Sequence, residues 1–549
     1  MKTYTIGVDF GTLSGRAVLC DTVNGTELAT AAMNYPHGVM SERLAATGAP
    51  LPQDFALQDP DDYLTVLEHV IPTVVKEAGV SAASVVGICI DFTCCTLVSV
   101  NGQGEPLCRE GRFKAEPLSY ALLWKHHAAG KYAEHMTQVA RERGEAFLSR
   151  CGGKIDQEWT FAKMLQVLHE APEVYRAADR FVEAGDFVVW QMTGTLARGY
   201  QYAAYKSHYV HGCGYPSKEY LCAVEQELGE TALEKLRGEL HPIGTCAGTL
   251  TPEFATRLGL CEGTRVAAGI PDGHSAAVAL GLSGAGDMMA VLGTSGCFMA
   301  LGDKDVNVPG ICGTVKDGIL PGFYGFEAGL CCLGDHFAFA AERLTSPAYV
   351  REAEERGIPM VALLMEKAAA KKPGESGVLA LNWFNGNRST LVDARLSGLF
   401  VGMTLATAPE DLMRALCEAT AFGMRNIIEN YEANGVPIKR VMASGGIAHK
   451  NPFLMQLYAD VTRRTICVTE AVEAPARSSA IVAAAAAGVY ADVHVAIDAM
   501  RAPIIHTYTP NGENFGVYDA LYAEYKTLHD YFGRGGNDVM KRLRALGGE

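Results

Sequence analysis

Apolar residues come first in short continuous runs. Residues 3–9 and 16–20 are β-type runs split by a turn of Gly, Thr and Ser, and a tight Asn24-Gly25 turn leads to a third run at 27–35. The period then changes. Asp59-Pro60, followed by Asp61 and Asp62, has helix-start chemistry, and Leu64, Val66, Leu67, Val70 and Ile71 follow at roughly helical spacing. Residues 85–91 are apolar up to Asp91, which suits a short strand buried on both faces. The first quarter therefore predicts a meander of strands, then alternating helices and strands.

The same order returns later. Residues 288–292 and 297–301 read as strands around Gly293-Thr294-Ser295-Gly296. A long helix at 409–432, a strand at 439–443, a Ser444-Gly445-Gly446 turn, a helix from about Asn451 and a strand at 465–469 follow. An alanine-rich helix at 480–488 has side chains small enough for close packing. Two halves of like order point to an internal duplication. Gly-Leu-Ser-Gly-Ala-Gly at 281–286 interrupts regular structure, so the expected domains are 1–284 and 285–549.

Composition narrows the classes. The chain has 549 residues, and single cores stop growing near ~250–300 residues, so more than one domain is expected. With 47 Lys+Arg against 62 Asp+Glu, the net charge of −15 argues against a nucleic-acid surface. The sixteen cysteines contain no C-x-x-C pair and read as reduced thiols of a cytoplasmic protein. The amino terminus lacks a signal-peptide block, and the most apolar later run, 480–490, falls short of the ~20 residues that span a bilayer. No membrane partner is expected.

Four small-residue sites could carry chemistry. Asp9 ends a strand and faces Gly11, Thr12, Ser14 and Arg16; such a turn can present amides to phosphate oxygens while the carboxylate holds hydrated Mg²⁺, or it can be an ordinary hairpin. Gly293, Thr294 and Ser295 occupy the equivalent place in the second half, and two such turns together could grip a polyphosphate. Gly445, Gly446 and Asn451 lie where a strand gives way to a helix, which suits a ring or phosphate close to the backbone, or simply a turn needing positive φ. Asp272, before Gly273 and an alanine-rich stretch, is placed either to accept a proton from a hydroxyl or to cap a helix. P-loop, G-x-G-x-x-G, H-E-x-x-H and G-x-S-x-G signatures are absent.

These sites, in this order, resemble the FGGY family of carbohydrate kinases over nearly the whole chain. The stretches Asp91-Phe92-Thr93-Cys94-Cys95-Thr96, Leu123-Trp124-Lys125-His126-His127, Glu158-Trp159-Thr160-Phe161-Ala162-Lys163, Tyr205-Lys206-Ser207, Gly325-Phe326-Glu327-Ala328-Gly329 and Leu381-Asn382-Trp383-Phe384-Asn385-Gly386 are similar to its branch acting on L-ribulose. The resemblance implies an α/β, two-domain actin/hexokinase/Hsp70-like (ribonuclease H-like) fold with an interdomain cleft. The N-terminal domain would carry the sugar side and the first phosphate turn, and the C-terminal domain the nucleotide side. The two turns would hold ATP phosphates and Mg²⁺, with Asp9 as the metal-side carboxylate, and Gly445, Gly446 and Asn451 would lie beside adenosine. Asp272 matches the general base. Lys206 and Glu327 match ketopentose-holding positions, with Cys94, Trp124 and Lys125 near the sugar; by themselves Lys206 and Glu327 would read as solvated surface charges. The pattern departs at His126, where relatives carry Asp, and at Ser478, where they carry Gly.

The expected reaction is ATP-dependent phosphorylation of L-ribulose at its 5-hydroxyl, in L-arabinose catabolism. Another ketopentose or polyol (D-ribulose, xylulose, glycerol) is the alternative substrate, and an ATP-driven actin- or Hsp70-type protein the alternative class. A homodimer is the family expectation for assembly.

Overall fold

The computed structural model describes residues 2–471 and 474–547; residues 1, 472, 473, 548 and 549 of the expected domains lie outside it. The chain forms two compact units. The first runs to Ser283 and also takes in Val315–Gly325 and a late stretch ending at Ala502. The second comprises Gly284–Thr314, the chain from Phe326 up to that late stretch, and everything from Pro503 on. Val315–Gly325 and the late stretch thus belong to the first unit although they follow residue 284 in the chain.

The first unit is built on a seven-stranded sheet. Its order is Cys246–Thr249, Arg265–Ala267, Val85–Phe92, Tyr4–Phe10, Ser14–Asp21 and Glu27–Asn34, with Ile270–Pro271 also paired to Val85–Phe92. The first three strands of the chain form the expected antiparallel meander, and Tyr4–Phe10 then pairs in parallel with Val85–Phe92. That register sets Asp9 beside both Arg16 and Asp91. The helix predicted from Asp59-Pro60 spans Pro60–Ala78: Asp59 accepts from the Asp61 amide, Pro60 starts the helix, and Gly79 ends it at φ 65°. Its buried face joins Ile6, Val8, Phe10, Ile88 and Ile90 in one core.

The alanine-rich helix spans Ala474–Ala486, beginning six residues before the apolar run suggested. Arg477, Ser478 and Ser479 hid its start because they are polar yet buried. The helix lies directly on the sheet: a Cβ on Gly7 would collide with the carbonyl of Ala476, and one on Gly87 would approach that of Ala483 to 2.8 Å. This seating is why the late stretch belongs to the first unit.

A second core in this unit, centred on Met136, Leu165, Tyr220 and Leu228, is formed by helices Gly130–Arg143, Thr160–Glu170, Lys218–Val224 and Gln226–Lys235. The apolar pattern did not reveal it. Thr160–Glu170 carries a polar stripe of Thr160, Lys163 and Gln166 that reads as a solvent face, yet the helix is buried through Leu168 on every side.

The second unit repeats the plan. The strand order is Gly313–Lys316, Tyr324–Leu330, Gly296–Gly302, Asp287–Leu292, Arg440–Ser444, Thr465–Thr469 and Ile504–Tyr508. An antiparallel hairpin, Asp287–Leu292 with Gly296–Gly302, is again followed by parallel strands, with the helix Pro409–Ala433 ahead of the first of them. The helix expected near Asn451 is two: Gly446–Lys450 and Pro452–Thr462, divided because Pro452 cannot continue a helix but suits the start of one. Among the described residues no helix is long and apolar enough to cross a membrane.

Candidate active site

In the first unit the Asp9 turn is anchored mainly through its carbonyls. The Gly11 carbonyl accepts from the Tyr35 hydroxyl (2.8 Å), the Thr12 carbonyl from Gln58 Nε2 (2.8 Å), and the Leu13 carbonyl from the Tyr35 amide (3.0 Å). The Gly11 amide closes the turn on the Ser14 carbonyl at 3.0 Å. Among the described residues the amides of Thr12 and Leu13 meet no protein acceptor. Amides without a protein acceptor beside a carboxylate are the ingredients of an anion-binding concavity with a place for a cation.

Asp272 is the first residue of helix Asp272–Ala279, whose cap position is Pro271. Its carboxylate accepts from the adjacent Gly273 amide at 2.6 Å, so it does not act as an ordinary cap reaching two or three residues onward. Burial, then the negative charge of Asp9, raises its pKa to about 6; the Gly273 amide, His274 and Lys206 oppose the rise. The group is thus a carboxylate at neutral pH with appreciable basicity, as proton abstraction from a hydroxyl requires.

Lys206 ends helix Tyr200–Lys206 and is buried, not a solvated surface charge. Its charge also acts on Cys95 and on the buried Glu183, whose pKa burial pushes up to about 8. Cys94 and Cys95 follow strand Val85–Phe92, with Cys95 at φ 64°. Trp124 Nε1 donates to Thr12 Oγ1 at 3.0 Å, which joins that motif to the Asp9 turn; Lys125 beside it is half-buried. His126 is a packing residue. Its Nε2 donates to Gln166 (2.9 Å), its Nδ1 accepts from the Ala56 amide (3.3 Å), and burial drives its pKa to about 3.

In the second unit the equivalent turn is one residue shorter. The Gly293 amide donates to the Ser295 carbonyl (3.0 Å), while the amides of Leu333 and Gly334 donate to the carbonyls of Thr294 (2.8 Å) and Gly293 (3.0 Å). Again carbonyls face the protein, and among the described residues the amides of Thr294 and Ser295 meet no protein acceptor. Gly445, at φ 93°, lies against this turn, since a Cβ there would sit 2.5 Å from the Leu292 carbonyl oxygen. Asn451 caps helix Pro452–Thr462, accepting from the Leu454 amide at 3.0 Å. Glu327 is buried on strand Tyr324–Leu330, again not a surface charge, and accepts from Arg388 Nη2 at 3.1 Å.

Three glycines separate ligand space from packing. Gly11, Gly293 and Gly446 do not have positive φ. A Cβ at Gly11 would come no closer than 3.5 Å to its surroundings and one at Gly293 no closer than 3.9 Å; at Gly446 it would meet nothing within 4 Å. The protein's own packing does not demand glycine there, whereas close approach of a ligand to the backbone would.

For several residues the sequence showed the position but not the role. Asp91 is wholly buried and accepts from Ser479 at 2.7 Å; burial, then the Asp9 charge, pushes it well above the usual carboxylate range. Ser478 accepts from the Ala279 amide at 2.9 Å, so the departure from Gly supplies a bond between two helices. Lys163 Nζ donates to the carbonyls of Cys95 (2.5 Å), Leu122 (3.2 Å) and Leu123 (2.8 Å), tying the Cys94 and Trp124 segments together. Its motif was visible in the sequence, but its polar spacing alone would place it on a helix surface.

For a divalent ion, Asp9 offers a hard oxygen donor beside outward amides. Among the described residues no three His, Cys, Asp or Glu side chains are grouped to hold a metal ion.

Residues 4–279 match the N-terminal domain of the FGGY family of carbohydrate kinases, and residues 288–487 its C-terminal domain. The chain is 48% identical to a protein named Ribulokinase from Geobacillus thermodenitrificans (strain NG80-2), over 99% of this chain and 97% of that protein. It is 45% identical to a Ribulokinase from Mycolicibacterium smegmatis, over 99% and 96% respectively. Its fold is similar to the crystal structure of xylulose kinase from Rhodospirillum rubrum, with a TM-score of 0.79 at 23% identity over 96% of this chain and 99% of that one. Plasmodium falciparum glycerol kinase, solved with ADP, gives a TM-score of 0.74 at 16% identity over 96% and 98%. With both domains matched and identity near one half over almost its full length, the chain belongs to the FGGY family of carbohydrate kinases.

Proposed function

We propose that this carbohydrate kinase transfers the γ-phosphoryl group of ATP to the 5-hydroxyl of L-ribulose, giving L-ribulose 5-phosphate. The observation that carries the catalytic assignment is Asp272, a carboxylate raised to about 6 in a unit that also carries the Asp9 turn. The choice of sugar is supported by the relatives named Ribulokinase at 45–48% identity.

In this reading Asp272 takes the 5-hydroxyl proton as the oxygen attacks phosphorus, a contribution of roughly 10²–10⁴-fold. The outward amides of the two turns neutralise phosphate charge and align the reacting atoms, which is where most phosphoryl-transfer catalysis resides. Mg²⁺, beside Asp9, supplies electrostatic stabilisation of the transferred group when bound. Gly445, Gly446 and Asn451 serve adenosine; Lys206, Glu327, Cys94, Trp124 and Lys125 serve the ketose. The low cysteine density and the lack of any C-x-x-C pair support a reducing, cytoplasmic setting.

The test is a panel of ketopentoses and polyols in a coupled ADP-release assay, with the phosphorylated position read by NMR. L-ribulose should give the highest kcat/KM and a 5-phosphate. A clear preference for xylulose or glycerol overturns the substrate, and ATP turnover indifferent to every sugar overturns the kinase assignment of these residues.

A further inference from the structure

The Leu381–Gly386 stretch is one of the most distinctive in the sequence, yet no role in the reaction explains it. The structure makes it a pedestal. Asn382 Oδ1 accepts from the Tyr525 hydroxyl at 2.8 Å, and Trp383 is fully buried with its ring centroid 5.3 Å from that of His529. The Gly386 amide turns back onto the Trp383 carbonyl at 2.9 Å. Asn387 and Asp393 then exchange a pair of backbone bonds at 3.0 and 2.9 Å, and the Asn387 side chain accepts from the Leu391 amide at 3.0 Å.

From this support projects Arg388. Its Nη2 donates to Glu327 Oε1 at 3.1 Å and its Nε to Cys312 Sγ at 3.2 Å. Cys312 is itself fastened to the same strand, its amide donating to the Glu327 carbonyl at 2.7 Å. One residue on, Ser389 Oγ accepts from the Gly329 amide at 3.2 Å. The Arg388 stem lies where Gly329 has no side chain, 3.6 Å from the place of a Cβ. The Glu327 side chain is 5% exposed, whereas that of Arg388 is 38% exposed.

We infer that Arg388 is the positioning residue for Glu327, orienting its carboxylate to receive hydroxyl groups of the ketose. The inference rests on the assignment of Glu327 to the sugar. A buried carboxylate persists as a charge only when paired, and an ionised one is purely an acceptor, the complement of sugar hydroxyl donors. A planar guanidinium held at two of its nitrogens fixes the direction of that acceptor, which a flexible ammonium does not. The Trp-Phe-Asn-Gly-Asn run is the scaffold that makes this aim reproducible.

Steady-state kinetics of Arg388→Met, Arg388→Lys, Glu327→Gln and the Arg388→Met/Glu327→Gln double variant test it. Arg388→Met should raise the ketose KM at least tenfold, with kcat within about threefold and the ATP KM within about twofold of the parent. Arg388→Lys should recover only part of the affinity, and the double variant should be no worse than Glu327→Gln. A normal ketose KM in Arg388→Met alongside a raised one in Glu327→Gln overturns the role of Arg388 and leaves Glu327 in place. Multiplying effects in the double variant also overturn it, because Arg388 would then act independently. An unchanged KM in Glu327→Gln removes the Glu327 assignment first, and the inference with it. If Arg388→Met does not fold, Arg388→Lys decides: a parental ketose KM overturns the inference.

Discussion

Asp272 carries opposite consequences for activity and for stability. As a base it works when ionised, so kcat/KM for the ketose should fall tenfold per pH unit below about 6 and level off above it. Asp272→Asn should keep ATP affinity and lose at least about a hundredfold in kcat; an unchanged kcat removes the base assignment. Its folded pKa lies above the ordinary 3.8, so the native state binds the extra proton, and the group's contribution to stability falls as pH rises from about 4 to about 6. Asp272→Asn should therefore melt higher than the parent at pH 7 and nearly level with it at pH 4, as calorimetry can check. The glycines give the converse experiment. A methyl group at Gly446 fits the protein, so Gly446→Ala should leave the melting temperature unchanged while raising the ATP KM, by about tenfold if one phosphate or ring contact worth ~1.4 kcal/mol is lost. Asp272 and the glycine turns were legible in the sequence because each combines an unusual residue with a strand end. Lys163 and Arg388 were not, because what they do depends on carbonyls and a carboxylate distant in the chain.

The alanine-rich helix shows what an element's pattern conceals. Its small residues were readable, but its true start was not, since burial of Arg477, Ser478 and Ser479 depends on partners in other elements. Arg477 Nη2 donates to the Met500 carbonyl, Ser478 accepts from the Ala279 amide, and Ser479 donates to Asp91. The counterpart of those small side chains is Gly7 on the strand beneath. Gly7→Ala sets a methyl group into the Ala476 carbonyl and should cost about 1–3 kcal/mol or more, seen as an earlier denaturant midpoint. Ser479→Ala should cost about 1–3 kcal/mol by stripping the buried Asp91 of a donor. A midpoint unmoved by Gly7→Ala would mean that the helix is not seated on this sheet.

Over the whole molecule, each unit carries a strand-turn-strand motif, and among the described residues no three His, Cys, Asp or Glu side chains are grouped to hold a metal. On the proposed ATP–Mg²⁺ reading, removal of divalent ions with EDTA should abolish phosphoryl transfer yet shift the melting temperature by no more than about 1 °C, whereas a structural metal would lower it by many degrees. The repeated order of strands and helices, the two small-residue turns and the candidate base were determined by the sequence itself, because they rest on local periodicity and on turns that only small residues allow. Tertiary structure alone decided that Val315–Gly325 and the alanine-rich helix join the first unit, that Lys206 and Glu327 are buried, and that Asp91 lies beside Asp9. Burial and the pairing of charges are settled by residues far away in the chain, and a local pattern does not contain them.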